Sequence, residues 1–312
     1  MGLRHGVPQF APGTEHECIV FYVIYLLYYI SKGVCTALKP GIGRIEALLL
    51  AYLQLRGMRL VEAGELGEPL QLTAAQECDA LRRLARGGLI ARVRPGLYLV
   101  PERLPLGGAW TPDEALAISS LMADCGGTYQ VCGPNAFRRH GFSDQVPMRV
   151  YAYNDRISGD RTIGAIALTL IKVNAKRLGD VETLRGVDGG EMVYASRTRT
   201  LVDAVYDWSR FNSLPRAYAW IIDDLDARRV DPARLVRTAL QFGDLGTRRR
   251  LGVLLERAGA PESTLARLER SLTPSSSLIP WIPSRPKRGT VNRRWGVLVN
   301  GEVGEWGDTD PG

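Results

Sequence analysis

At 312 residues, 45% of them hydrophobic and 23% charged, the chain has the make-up of an ordinary globular protein with room for two domains and their cores. Five cysteines (Cys18, Cys35, Cys78, Cys125 and Cys132) without a CxxC pair, and only three histidines, argue against a disulfide framework and a structural zinc site, and suit a reducing cytoplasm. A formal charge of +7 favours a polyanionic partner or a membrane surface.

Residues 1–41 stand apart. Cys18 to Ile30 is an uninterrupted apolar run, shorter than the roughly twenty residues a spanning helix needs, and Lys32 closes it. Three readings are open: an anchor that associates with a membrane through 18–30, a segment packed on the folded body, or a stretch foreign to the domain such as an over-long gene start. The expected location is cytoplasmic.

Residues 42–102 carry the strongest pattern. Ile45, Leu48, Leu49, Tyr52 and Leu53 recur at helical spacing from Arg44 to Arg56, where Gly57 stops the helix. A second short helix is expected from Arg59 to Leu66, closed by Gly67 and Pro69. Thr73-Ala74-Ala75-Gln76 then offers a capping hydroxyl and a side-chain amide three residues on, the start of a third helix. Its inward stripe is expected to be Cys78, Leu81, Leu84 and Ala85. Gln76, Asp79, Arg82, Arg83 and Arg86 fall on the other faces, and Gly87-Gly88 ends it. Ile90 to Val93 alternates apolar and basic residues, Arg94-Pro95-Gly96 turns, and Leu97 to Val100 returns, placing Arg92 and Arg94 at a hairpin tip. Three helices followed by a basic hairpin predict a winged helix-turn-helix, with one helix in the DNA major groove and the wing on the neighbouring backbone. Each piece alone reads equally as a solvated surface, and winged helices also serve as protein-docking modules.

Residues 103–109 form a breaker-rich linker, and a second domain is expected over 110–300. Thr111-Pro112-Asp113-Glu114 opens a helix with a capping hydroxyl and proline at its first position. Tyr129 to Cys132 reads as a strand feeding a helix at Pro134 to His140. Arg149 to Tyr153, Gly164 to Val173 and Met192 to Ala195 are strand-like. The period then changes, with helices from Ser196 to Trp208, Pro215 to Leu225, Pro232 to Phe242, Leu245 to Ala258 and Glu262 to Leu272. The expected class is α+β: a winged helix-turn-helix followed by a larger, mostly helical α+β domain with a small sheet. Residues 301–312 read as an acidic tail that is expected to be disordered.

Two further clusters are basic. Arg285, Lys287, Arg288, Arg293 and Arg294 lie beside Trp281 and Trp295, an arrangement suited to phosphate-backbone contact. Arg248-Arg249-Arg250 opens a helix whose positive end does not favour them. Together they form a possible second basic patch.

Catalytic constellations are absent. There is no Walker loop, no Gly-x-Ser-x-Gly elbow and no His-Glu-x-x-His helix, and Arg139-His140-Gly141 reads as a helix end rather than part of a triad. Asp203, Asp207, Asp223, Asp224 and Asp226 are the acids a metal nuclease would draw on. Lys172 has no acid nearby in sequence, and Arg199 with Asp203 reads as an exposed helical ion pair. No catalytic residue, metal or cofactor is expected.

On these residues the chain resembles the AbiEi family, the antitoxin and transcriptional-repressor components of AbiE-type (type IV) toxin-antitoxin systems. The resemblance runs from about Gly43 to Asn300. It rests on Arg92 to Pro101, on Gly133-Pro-Asn-Ala-Phe-Arg-Arg-His-Gly141 followed by Gln145-Val-Pro147 and Val150-Tyr151, on Ala195 to Asp203, and on Arg250 to Gly259. It implies autoregulation by binding promoter inverted repeats through the winged helix, and a second domain that counters a nucleotidyltransferase toxin without need of a stable complex. Thr73, Gln76, Arg82, Arg83 and Arg86 would then face DNA, with Arg92 and Arg94 on the wing. A two-fold operator takes two copies of a protein that is a monomer or weak dimer in solution. A stand-alone DNA-binding regulator and a metal-dependent nuclease are the alternatives.

Overall fold

The computed structural model describes residues 42–104, 109–274 and 276–301. The apolar segment 1–41, most of the linker and residues 302–312 of the tail lie outside the described residues. Among the described residues no helix is long and apolar enough to cross a membrane. The fold is mixed α+β, in two compact units that divide between Pro112 and Asp113, with Ile163–Ala165 grouping with the first.

The first unit begins with α1 (Arg44–Leu55), whose Leu49, Leu50 and Leu53 are buried. The expected helix from Arg59 to Leu66 is a strand instead, β1 (Leu60–Glu62). The cause is non-local: β1 pairs antiparallel with β3 (Leu97–Leu99), in the register Leu60 with Leu99 and Glu62 with Leu97. Gly67 and Pro69 do not close a helix but sit inside a single turn, α2 (Gly67–Leu70). Proline is tolerated there because first-turn amides have no intrahelical partner to lose. The third helix, α3 (Ala74–Arg86), starts where Thr73 and Gln76 predict, with both halves of the capping box formed. β2 (Ala91–Arg94) then pairs antiparallel with β3, giving the sheet order β1-β3-β2. Pro95 and Gly96, the latter at φ +85°, make the connecting turn, as a type II turn requires at its second central position. Leu49, Leu53, Leu66, Leu81, Leu84, Ile90 and Tyr98 close one core.

The second unit opens with α4 (Glu114–Asp124). Its cap is the Asp113 carboxylate, which accepts from the Leu116 amide at 2.6 Å, rather than the Thr111 hydroxyl. An acid at that position also meets the positive end of the helix. A six-stranded sheet follows in the order β6-β7-β5-β4-β9-β8. Its strands are β4 (Tyr129–Val131), β5 (Val150–Asn154), β6 (Gly159–Ile163), β7 (Ile166–Lys172), β8 (Val181–Arg185) and β9 (Glu191–Ala195), with α5 (Gly133–Arg139) between β4 and β5. The two edge strands, β6 and β8, are almost wholly exposed and have no counterpart in the sequence pattern.

Helices α6 (Arg197–Tyr206), α7 (Trp208–Phe211), α8 (Arg216–Asp226), α9 (Pro232–Phe242), α10 (Leu245–Arg257) and α11 (Glu262–Glu269) follow. Leu201, Val205, Tyr218, Ile221, Leu235, Leu251 and Leu254 fill their core. A three-stranded sheet of β10 (Ile279–Pro280), β11 (Thr290–Asn292) and β12 (Val297–Val299) completes the unit. Trp295 lies directly over Gly252 of α10, so a methyl group there would run into the indole. Gly252→Ala gains about 1 kcal/mol of helix propensity, but overpacking costs about 1–3 kcal/mol. We expect a net loss of unfolding free energy in urea titrations; a gain would contradict this packing.

Candidate nucleic-acid interface

The structure puts α3 and the β2–β3 hairpin in the first unit, with Thr73, Gln76, Arg82, Arg83, Arg86 and Arg92 exposed and Arg94 half-buried. The inward face of α3 is Glu77, Ala80, Leu81 and Leu84, whereas Cys78 and Ala85 are only partly covered. Glu77 is the residue that sequence reasoning missed. Its Oε1 accepts from the amides of Gly64 at 2.9 Å and Leu66 at 3.1 Å, which fixes the loop before α2 to the helix. The signal was available in its spacing, seven residues before Leu84 on the same face.

The exposed residues differ in what they have free. Gln76 Oε1 accepts from the Thr73 amide at 2.9 Å, so both residues are engaged in the cap, and only the Gln76 Nε2 group stays outside it. Arg82 pairs with Asp79 at 3.2 Å, an exposed (i, i+3) contact of small worth. Arg83 pairs with Glu46 of α1, whose side chain is only 8% exposed, so this arginine also neutralises a nearly buried carboxylate. Arg94 reaches Glu62 of β1 at 2.9 Å and braces the hairpin. Arg86 and Arg92 form no ion pair among the described residues. The first unit thus presents a rigid, capped helix with guanidinium groups along one side, and one more on the strand leading to a tight turn.

The second basic patch divides into buried and exposed cations. Arg249 and Arg250 are buried, against expectation: Arg249 Nε donates to the Trp295 carbonyl at 2.7 Å and its Nη2 to that of Ser277 at 2.6 Å, while Arg250 Nε donates to Pro280 at 3.3 Å. Arg248 Nη2 donates to the Leu240 carbonyl at 2.9 Å, near the end of α9, where unpaired carbonyls need donors. Arg294 ion-pairs with Glu256, Glu262 and Glu269. These cations hold α9, α10, α11 and the last sheet together. Trp281 and Trp295 are fully buried, so neither offers a face to a base. Lys287, Arg288 and Arg293 are exposed, and Arg285 is half-buried.

Of the acids behind the nuclease alternative, Asp203, Asp207 and Asp224 are likewise committed, whereas Asp223 and Asp226 are exposed. Arg199 and Asp203 are not an exposed pair but lie 0% and 1% exposed at 2.9 Å, with Arg177 on the other carboxylate oxygen at 2.6 Å. Burial pushes the Asp203 carboxyl up, against the pull of both guanidiniums. Arg199 also donates from Nη1 to the Gly179 carbonyl at 3.2 Å and from Nη2 to the Arg177 carbonyl at 2.8 Å, so each of its three guanidinium nitrogens has an acceptor. Asp224 takes both prongs of Arg197, at 2.6 and 2.7 Å, and Arg229 at 2.6 Å. Asp207 accepts from the Tyr153 hydroxyl at 3.0 Å. His140 ends α5, and its Nε2 donates to the Ala195 carbonyl at 2.9 Å; burial lowers its pKa. No group of three metal-ligating side chains exists among the described residues.

Against burial, which raises it, the hydrogen bonds from Arg197 and Arg229 hold the Asp224 carboxyl below its ordinary value. A folded-state pKa below the unfolded one stabilises the fold at higher pH, and the contribution disappears as pH falls below about 4. Urea unfolding across a pH series is expected to show this loss, and Asp224→Asn to remove that part of the slope. An unaltered slope in the variant would contradict the assignment.

No family model and no curated protein matches the chain. By fold it belongs to the mixed α+β class. Among solved structures it is similar to the crystal structure of the RV2827C protein from Mycobacterium tuberculosis, at 17% sequence identity and a TM-score of 0.52, over 82% of this chain and 92% of that one. At that identity the likeness speaks to the fold alone.

Proposed function

We propose that this chain is a two-domain transcriptional repressor and antitoxin of the AbiEi kind. Its first unit is a winged helix-turn-helix, with α3 as the recognition helix and β2–β3 as the wing. The observation that carries the reading is the row of exposed Arg82, Arg83 and Arg86 on a helix whose orientation is fixed by a capping box and by Glu77, with Arg92 beside it on the wing strand. Guanidinium groups so placed suit phosphate contacts and the paired acceptors of a guanine edge. Two copies would read inverted repeats in the chain's own promoter.

The second unit would counter a nucleotidyltransferase toxin without itself catalysing a reaction. Supporting a non-enzymatic role, Asp203 and Asp224 are saturated by arginine and not disposed to bind a metal. A reporter fused to the chain's own upstream region tests the regulatory half: expression of the chain should lower the signal, and an unresponsive reporter would refute autoregulation. Co-expression with a nucleotidyltransferase encoded next to this gene tests the other half. Restored growth is expected; growth arrest unrelieved by the chain would refute the antitoxin role.

A further inference from the structure

The stretch Gly133–Gly141 and Gln145–Pro147, on which much of the family resemblance rests, has no part in DNA contact as proposed. In the structure it surrounds two neighbouring cavities of the second unit, which share Val146 and Pro147 as a common wall. The larger, of about 220 Å³, is polar and lined by Glu114, Asn135, Arg138, Arg139 and Tyr194. The smaller, of about 110 Å³, is lined by Pro134, Phe137, Phe211 and Trp220 and also by Gln145 and Arg216. The ridge is apolar and open: Val146 is 67% exposed and Met148 91%.

The donors in the larger cavity are held in place. Asn135 is buried and its Oδ1 accepts from the Tyr151 amide at 3.0 Å, which commits the oxygen end of the amide to β5 and leaves the donor end over. Arg139 lies over the Tyr194 ring, 5.0 Å from its centroid, and pairs loosely with Glu182 at 3.6 Å. Arg138 is exposed and makes no ion pair among the described residues. Glu114 lines the cavity too, its pKa raised by burial and by neighbouring Asp113. Two guanidiniums line the cavity against one carboxylate, Glu114, so about one positive charge is left over, which suits a singly charged carboxylate better than a phosphate dianion. An exposed apolar ridge beside it is what a protein surface, rather than a free metabolite, would cover.

We infer that this double cavity is a docking site for a partner-protein segment carrying an acidic side chain close in sequence to an apolar one. The carboxylate enters the larger cavity against Arg138, the Asn135 amide and the Tyr194 hydroxyl. The backbone crosses the Val146-Pro147 ridge, and the apolar side chain enters the smaller cavity. The inference goes beyond the proposed DNA reading and stands whether or not that reading holds.

Selection of a random-peptide display library on the full chain is the test. The expected result is enrichment of aspartate or glutamate near leucine, methionine or an aromatic residue. A selected peptide should bind Arg138→Gln about tenfold more weakly, the loss of one charge-assisted hydrogen bond. It should also bind Val146→Ser more weakly, while both exposed-site variants keep the parent unfolding midpoint. No enrichment, enrichment without acidic residues, or undiminished binding to Arg138→Gln would overturn the inference. So would displacement of the peptide by adenosine monophosphate, which would assign the cavity to a phosphate-bearing small molecule.

Discussion

Replacing Arg82 and Arg86 together by alanine is expected to weaken binding to the chain's own upstream DNA about ten- to hundredfold, as removing one good base-reading group costs about 1–3 kcal/mol. It should also flatten the salt dependence, by about 0.9 in the slope of log K against log salt for each phosphate no longer neutralised. Arg82 and Arg86 are the informative pair because both are exposed and neither supports a buried group. Arg83 is a poorer probe: removing it strands Glu46, which is 6% exposed, so weaker binding would mix with lower stability. Affinity and slope unchanged in Arg82→Ala/Arg86→Ala would rule out α3 as the reading helix.

The largest effect on stability is expected at Asp203. Asp203→Asn keeps the shape of the side chain but removes the charge that faces Arg199 and Arg177, leaving two cations with no buried counter-charge. Breaking a buried ion pair in this way costs about 3–5 kcal/mol, a large part of the roughly 5–15 kcal/mol by which a domain is stable. Asp226, exposed at the end of α8, serves as the control: Asp226→Asn should change stability by no more than about 0.5 kcal/mol. Urea titration of both variants distinguishes the cases. An Asp203→Asn protein as stable as its parent would mean that the triad contributes no net stability.

The parts of the fold that local chemistry dictates were legible in the chain. Thr73 and Gln76 announced their helix because a capping box is a short-range motif, and Arg94-Pro95-Gly96 announced its turn because proline fixes φ and glycine permits the positive φ that follows. The strand β1 was not legible. Leu60-Val61-Glu62 extends because β3 offers it a partner far along the chain, which no local period reports. The strands β6 and β8 escaped for a different reason: at the sheet edges most of their side chains are exposed, so the alternation that marks a half-buried strand is missing.

The candidate site shows the same division. Positions on α3 followed from helical spacing, and the exposure of Arg82, Arg83 and Arg86 was readable from it. The fate of an individual arginine was not, because a guanidinium on a solvated face and one that caps a helix end are identical in sequence. Arg249 and Arg250 stand near the start of α10 as apparent surface cations. They are buried because the carbonyls of Trp295, Ser277 and Pro280, supplied by the last sheet and the loop that leads into it, lie within reach.

The central claim is that the first unit reads a specific duplex. Titration of the full chain with a duplex from its own upstream region and with a random duplex of equal length, each at several salt concentrations, tests it most directly. We expect at least about a thousandfold preference for the upstream duplex, the low end for specific DNA-binding proteins, together with a steep salt dependence for both. Equal affinities for the two duplexes, or binding insensitive to salt, would contradict it.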